Sequence, residues 1–162
     1  MTRHLTIIYQ HSAVHDLHLL SPTAYCNSNW GSNLINHHSI TSFIFFLCGG
    51  PFTWSSRSQS SVTLSSCEAE YNTLSETVKH TIYMHKLLQP LRLNTLLPTV
   101  IQSNNQSAIM LTQANQQAFH PRTKHINIKV SHLHEVIASK TIVLLHCPTR
   151  QMITNMLTKA LP

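Results

Sequence analysis

Apolar residues gather in short runs over the first third of this chain and then change to a helical period. Thr23–Cys26, Ser42–Cys48 and Phe52–Ser55 are rich in β-branched and aromatic residues and too short for helices, so they predict strands. Gly49, Gly50 and Pro51 separate the second from the third as a turn, giving a hairpin or meander in which Ser42–Cys48 reads as a central strand. The first run closes on Asn27, Ser28, Asn29 and Trp30, and a polar loop follows through His37 and His38. At Ser65 the pattern switches. Ser65 stands three residues before Glu68, a capping box in which the serine oxygen takes a free backbone N–H and the glutamate reaches back to the cap. Tyr71, Leu74, Val78 and Ile82 then recur at helical spacing, so one face is built to lie on a sheet. The helix ends by Pro90, because proline offers no N–H and disfavours helical geometry in the residue before it.

The second half alternates. Thr99–Gln102 predicts a strand, entered from Pro98 and ending on Ser103, Asn104, Asn105 and Gln106. A helix from Ser107 to Ala114 follows, then a longer one over Ile126–Ser139 with Ile126, Val130, Leu133 and Ile137 on one face. Thr141–His146 predicts the last strand, and Pro148 breaks the chain before a short helix over Met152–Leu161. Residues 1–20 carry apolar positions without a clear period and read as the end of a preceding unit. The order describes an α/β domain, a mixed sheet covered by helices. Ligands in such sheets bind beyond strand ends, where Asn27, Asn104 and Asn155 fall, and Glu70 at the helix start is placed to join them. Capping explains Glu68; Glu70 is either a dipole partner or a site residue.

A chain of 162 residues holds one domain with its own core. Only 10% of it is charged, but Lys and Arg outnumber Asp and Glu by 11 to 5, which favours a polyanionic partner and nucleic acid ahead of a membrane surface. The basic residues are scattered except around Arg122, Lys124 and Lys129, where the competing reading is a solvated face. Cys26, Cys48, Cys67 and Cys147 have no C-x-x-C spacing and are read as reduced, small apolar residues of an intracellular protein, without disulfides. The 13 histidines, His132, His134 and His146 among them, lack H-E-x-x-H or Cys/His zinc spacing, so no structural zinc is expected. The longest hydrophobic run, Phe43–Cys48, is six residues and too short to span a bilayer, and the N-terminus lacks the apolar core of a signal peptide.

WSSRSQ, LSSCEAEY, NNQSA, FHPRTKHI and LTKALP occur in that order at spacings that resemble the ribonuclease H domain at the C-terminus of copia-type retrotransposon Pol polyproteins. The resemblance covers residues 22–162, and TRHL near the start resembles the tail of the preceding reverse transcriptase connection, making residues 1–21 a remnant of it. It implies a ribonuclease H-like fold, a five-stranded mixed sheet with helices on both faces, and hydrolysis of RNA in RNA/DNA hybrids. It also implies Mg²⁺ or Mn²⁺ as cofactor, the reverse transcriptase portion of the same polyprotein as partner, and a cytoplasmic or nuclear location, in the family within a virus-like particle. Arg57, Arg122, Lys124, His125 and Lys129 are the candidate contacts to nucleic acid.

The chemistry needs clustered carboxylates, because two divalent ions must be held close together, one activating water and one stabilising the leaving oxygen. Here the chain departs from the family. Y-S-D-A-D-W stands as Tyr25, Cys26, Asn27, Ser28, Asn29 and Trp30; C-D-N-Q-S-A stands as Ser103 to Ala108 with Asn104; and A-D-I-F-T-K has Asn155 in place of its aspartate. Glu70 alone remains of the implied acids. Each lost carboxylate removes at least several kcal/mol of attraction to Mg²⁺ at an effective dielectric of about 20. The chain is therefore expected to bind no metal and to be inactive; the alternatives are a non-catalytic nucleic-acid-binding module or a non-functional relic. The changes share a direction. Asp to Asn, Arg to His at His37 and His38, Thr to Ile at Ile40, Gly to Ser at Ser42 and Val to Ile at Ile44 are each reachable by one C-to-T or G-to-A change. Asn127, in place of the aspartate of K-H-I-D, fits the same direction. A decayed element copy, altered by cytosine deamination, would carry this pattern, with transitions far exceeding transversions at its locus.

Overall fold

The computed structural model describes residues 6–9, 21–91, 98–113 and 124–158. In chain order the elements are β1 (Thr23–Asn29), β2 (Ile40–Leu47), β3 (Gly50–Ser58), α1 (Ser66–Leu88), β4 (Thr99–Ser103), α2 (Gln106–Gln113), α3 (Lys124–Ala138), β5 (Ile142–His146) and α4 (Asn155–Thr158). The strands form one sheet in the order β3-β2-β1-β4-β5. β1 and β2 pair antiparallel, as do β2 and β3, while β4 lies parallel to both β1 and β5. This is the mixed five-stranded sheet expected from the sequence, with β1 rather than β2 in the middle.

Several ends move. β1 runs three residues past Cys26, because Asn27, Ser28 and Asn29 pair with Ser42, Thr41 and Ile40. β3 reaches Ser58 instead of Ser55 and already includes Gly50 and Pro51, so the turn is Cys48–Gly49. Both turn residues have positive φ, 53° and 75°, the left-handed pair that two-residue hairpins require. Gly50 has a different reason to be glycine: a Cβ there would sit 2.7 Å from the Tyr9 ring and 2.9 Å from the Ile8 carbonyl. Tyr9 is held there by its hydroxyl, which donates to Pro51 O at 3.0 Å. α3 starts at Lys124, two residues before the predicted Ile126. The predicted terminal helix over Met152–Leu161 is observed as α4, a 3-10 turn at Thr149–Gln151 precedes it, and its end beyond Thr158 falls outside the described residues.

The pleat divides the sheet into two faces. Ala24 and Cys26 of β1, Phe43 and Phe45 of β2 and Ile101 of β4 form one core with Tyr71, Leu74 and Val78 of α1 and Val130 and Leu133 of α3. Each large apolar side chain fully buried here stabilises the fold by about 1.5–3 kcal/mol. Asn27 and Ser42 point the other way, toward the chain around α4, so helices cover both faces. Ser42 is wholly buried and its Oγ donates to Asn27 O at 3.0 Å and to Thr154 O at 3.4 Å, one hydroxyl proton shared between two carbonyls. A hydroxymethyl group at a position where the family resemblance has glycine is thereby satisfied rather than stranded.

Helix α1 carries the predicted apolar stripe and a second, polar one. Thr73, Thr77 and Thr81 are fully buried. Thr77 and Thr81 return their hydroxyls to the carbonyls four residues back, at 2.8 and 2.9 Å, and Thr73 Oγ1 meets Thr41 Oγ1 at 2.9 Å. At its start Ser65 Oγ accepts the Glu68 N–H at 3.1 Å. Glu68 reaches one residue further back than expected and accepts the N–H of Leu64 at 2.8 Å.

Candidate functional site

β1 and β4 run parallel side by side, so their C-terminal ends open on the same edge, and α1 begins beside them. Glu70 is 7% exposed. Its Oε1 accepts the backbone N–H of Ser28 at 3.0 Å, which ties the first turn of α1 to the end of β1. Its Oε2 is buried without a hydrogen-bond partner among the described residues, and so is Asn104 Oδ1 just past β4. Glu70 and Asn104 line one cavity of about 460 Å³ together with Ser66, Asn105, Gln106 and His146. Burial pushes the Glu70 carboxyl up from 4.5 to about 7, against the hydrogen bonds of Ser28, which favour the charged form. The nearby Cys26 thiol is pushed up too, first by burial and then by the Glu70 charge, which leaves it an inert core residue.

The two remaining predicted site residues face each other. Asn27 Nδ2 donates to Asn155 Oδ1 at 2.7 Å, and Asn155 Nδ2 donates in turn to Thr149 O at 2.8 Å. Asn29 Nδ2 adds a bond to Thr158 O at 3.1 Å. Together these amides clasp α4 and the turn before it to β1. All four positions named from the sequence, Asn27, Glu70, Asn104 and Asn155, therefore gather at one end of the sheet. His146, which the sequence offers only as a histidine without zinc-ligand spacing, belongs to the same cavity.

This donor set does not fit a pair of divalent ions. One carboxylate is present, and the Asn155 amide oxygen already accepts a hydrogen bond. Two hard cations close together need several anionic oxygens to offset their mutual repulsion. Among the described residues no group of three or more His, Cys, Asp or Glu is placed to hold a metal ion. All four cysteines are free thiols.

Basic residues meet elsewhere. Arg57 near the end of β3 forms an ion pair with Glu76, which also accepts from Lys79 at 2.9 Å. Burial pushes the Glu76 carboxyl up, but the hydrogen bond and charge of Lys79, followed by the charges of Arg57 and Lys129, outweigh it and hold it below its ordinary value. Lys129 Nζ donates to Asn72 Oδ1 at 2.6 Å. Arg57 and Lys129 thus reach one cavity, of about 300 Å³, from β3 and α3. Arg122 lies outside the described residues; Lys124 and His125 open α3, with side chains outside the described ones. Sequence reading passed over Gln59 and Asn72 in this cavity. The available signal was that Asn72 and Glu76 stand four apart on α1, hence on one side of it.

The fold agrees with comparisons to other proteins. No protein-family model matches the chain. In sequence it is 33% identical over 138 residues to the retrovirus-related Pol polyprotein from transposon TNT 1-94 of Nicotiana tabacum, covering 85% of this chain and 10% of the polyprotein. It spans about a tenth of the length of the retrovirus-related Pol polyproteins it matches. In structure it superposes on LC11-RNase H1, isolated from compost by a metagenomic approach, with a TM-score of 0.61 at 14% identity, covering 85% of this chain and 91% of the other. A foamy viral protease-reverse transcriptase in complex with RNA/DNA hybrid gives a TM-score of 0.57 at 13% identity, covering 91% of this chain and 20% of the other.

Proposed function

Because the chain belongs, as a segment with the ribonuclease H fold, to the retrovirus-related Pol polyproteins of copia-type transposons, we propose that it is a ribonuclease H-like domain without metal-dependent cleavage that keeps a nucleic-acid-binding surface. One observation carries the reading: where two metal ions would need carboxylates, Asn27 and Asn155 bond each other and Glu70 stands as the lone acid. The residues assigned to nucleic acid are Arg57, Arg122, Lys124, His125 and Lys129, supported by the +6 net charge and by the convergence of Arg57 and Lys129. The expected ligand is an RNA/DNA hybrid, the molecule bound by the foamy viral relative in fold.

Residues 22–162 make up the domain, and residues 1–21 are the remnant of a reverse transcriptase connection. The seating of Tyr9 against Gly50 and Pro51 supports a connection that docks on the β2–β3 turn. The polymerase portion of such a polyprotein is the expected protein partner, and the location is intracellular, cytoplasmic or nuclear. No helix among the described residues is long and apolar enough to cross a membrane.

The test is an assay on a labelled RNA/DNA hybrid with Mg²⁺ and with Mn²⁺. Binding that weakens steeply with salt, without cleavage, is the expected result. Robust cleavage by the unaltered chain, abolished by Glu70→Gln, would overturn it.

A further inference from the structure

The cavity at the C-terminal ends of β1 and β4 holds two acceptors that the fold leaves unanswered. Glu70 is 7% exposed, and its Oε1 is engaged by the Ser28 N–H at 3.0 Å. Its Oε2 and the Asn104 Oδ1 are both buried without a hydrogen-bond partner among the described residues, and both residues line this cavity of about 460 Å³. A carboxylate oxygen and an amide oxygen can only accept, so what the pair lacks is a donor. Buried polar atoms are ordinarily satisfied, and two orphans of one kind in one cavity point to a ligand of the opposite kind.

The helix starts nearby do not supply it. Ser65 Oγ takes the Glu68 N–H at the start of α1, and Asn105 Oδ1 takes the Ala108 N–H at 2.9 Å at the start of α2. A helix start favours negative charge beside it, and Glu70 already provides that charge. The donor therefore comes from outside the chain. A guanidinium binds a carboxylate best through both oxygens, but here Oε1 is taken by Ser28. An ammonium is a compact charge that directs its N–H groups at separate acceptors, and the cavity offers Glu70 Oε2 and Asn104 Oδ1, with Ser66 and Gln106 on the wall for a third. The volume leaves room for a short alkyl chain behind the charged head.

We propose that this cavity binds the primary ammonium head of an aliphatic amine, held between Glu70 Oε2 and Asn104 Oδ1. The amine site rests on the reading above that no pair of divalent ions is held here, and not on nucleic-acid binding.

The test titrates butylammonium chloride into the purified chain at pH 8 and constant ionic strength. The side-chain amide resonances of Asn104 are followed by NMR, and the melting temperature is read in parallel. The amide should shift and saturate, and at about ten times the dissociation constant the melting temperature should rise by about 4 °C. Tetramethylammonium, which carries the charge but no N–H, should do neither. Glu70→Gln keeps an oxygen in place and loses the charge, so it should weaken amine binding about tenfold. The same variant removes a buried charge and should melt no lower than the unaltered chain at pH 8, which separates lost binding from lost folding. An Asn104 amide that does not move would mean that solvent supplies the missing donors, and the proposal falls. Equal responses to tetramethylammonium or potassium would overturn it too, since charge alone would then suffice. A parallel titration with Mg²⁺ tells the two readings apart. If Mg²⁺ moves the amide and butylammonium does not, the metal-free reading falls with the proposal; if neither moves it, the proposal falls alone.

Discussion

Glu70 carries a conflict between its inherited place and its present surroundings. With cations beside it, a buried carboxylate would stay ionised; with amides in place of the neighbouring acids, burial decides, and the carboxyl rises to about 7. The sign of its effect on stability follows. The folded value lies above the ordinary 4.5, so the folded state favours the protonated form; the contribution is full at low pH and is lost as pH rises from about 4.5 through about 7. Glu70→Gln keeps an oxygen for the Ser28 N–H and cannot ionise. Between pH 5 and pH 8 the unfolding free energy of the unaltered chain should therefore fall by up to about 3 kcal/mol relative to that of the variant. Urea denaturation at a series of pH values measures this, and parallel curves for the two proteins would refute it. Glu70 was legible because capping accounts for Glu68 and leaves its neighbour without an ordinary explanation. The clasp between Asn27 and Asn155 was not, since its partners are 128 residues apart and only the folded sheet decides which oxygen meets which N–H.

Strand and helix identities came through the periodicity, whereas their ends depended on partners. Asparagine is uncommon in strands, so Asn27 to Asn29 read as the loop closing β1; Ser42, Thr41 and Ile40 extend the ladder past them. The same limit hid the polar stripe of α1. Threonines at 73, 77 and 81 look like a solvent face, yet all three are buried because their hydroxyls are satisfied within the helix or by Thr41. The cap is a local device and was readable in full apart from one residue's reach. Ser65→Ala removes the acceptor of the Glu68 N–H but leaves the Glu68 bond to Leu64 in place, so it should cost about 1 kcal/mol, seen as a lower urea midpoint with unchanged slope. A loss near zero would mean that the glutamate bond alone holds the helix start.

Because hydrophobic packing on one face of the sheet and the amide clasp on the other hold the fold, folding is expected to be independent of metal. Circular dichroism and thermal unfolding should be unchanged by EDTA, and a melting temperature raised by Mg²⁺ in the unaltered chain would contradict this. Trp30, Val62 and Leu64 line a largely apolar hollow of about 410 Å³ close to the strand ends, with Leu64 89% exposed. The chemistry, by contrast, should be recoverable only as a unit. Restoring aspartate at Asn27, Asn104 and Asn155 together supplies three carboxylates around Glu70. Without metal their mutual repulsion and the loss of the Asn27–Asn155 bond should destabilise the fold. Mg²⁺ should restore that stability, so the triple variant becomes a protein whose melting temperature rises with Mg²⁺ concentration, and hybrid cleavage should accompany it. Any single reversion should gain almost nothing, since groups acting as one unit are far from additive. A triple variant that folds, shows no Mg²⁺-dependent stabilisation and leaves the hybrid intact would place the defect outside these three side chains.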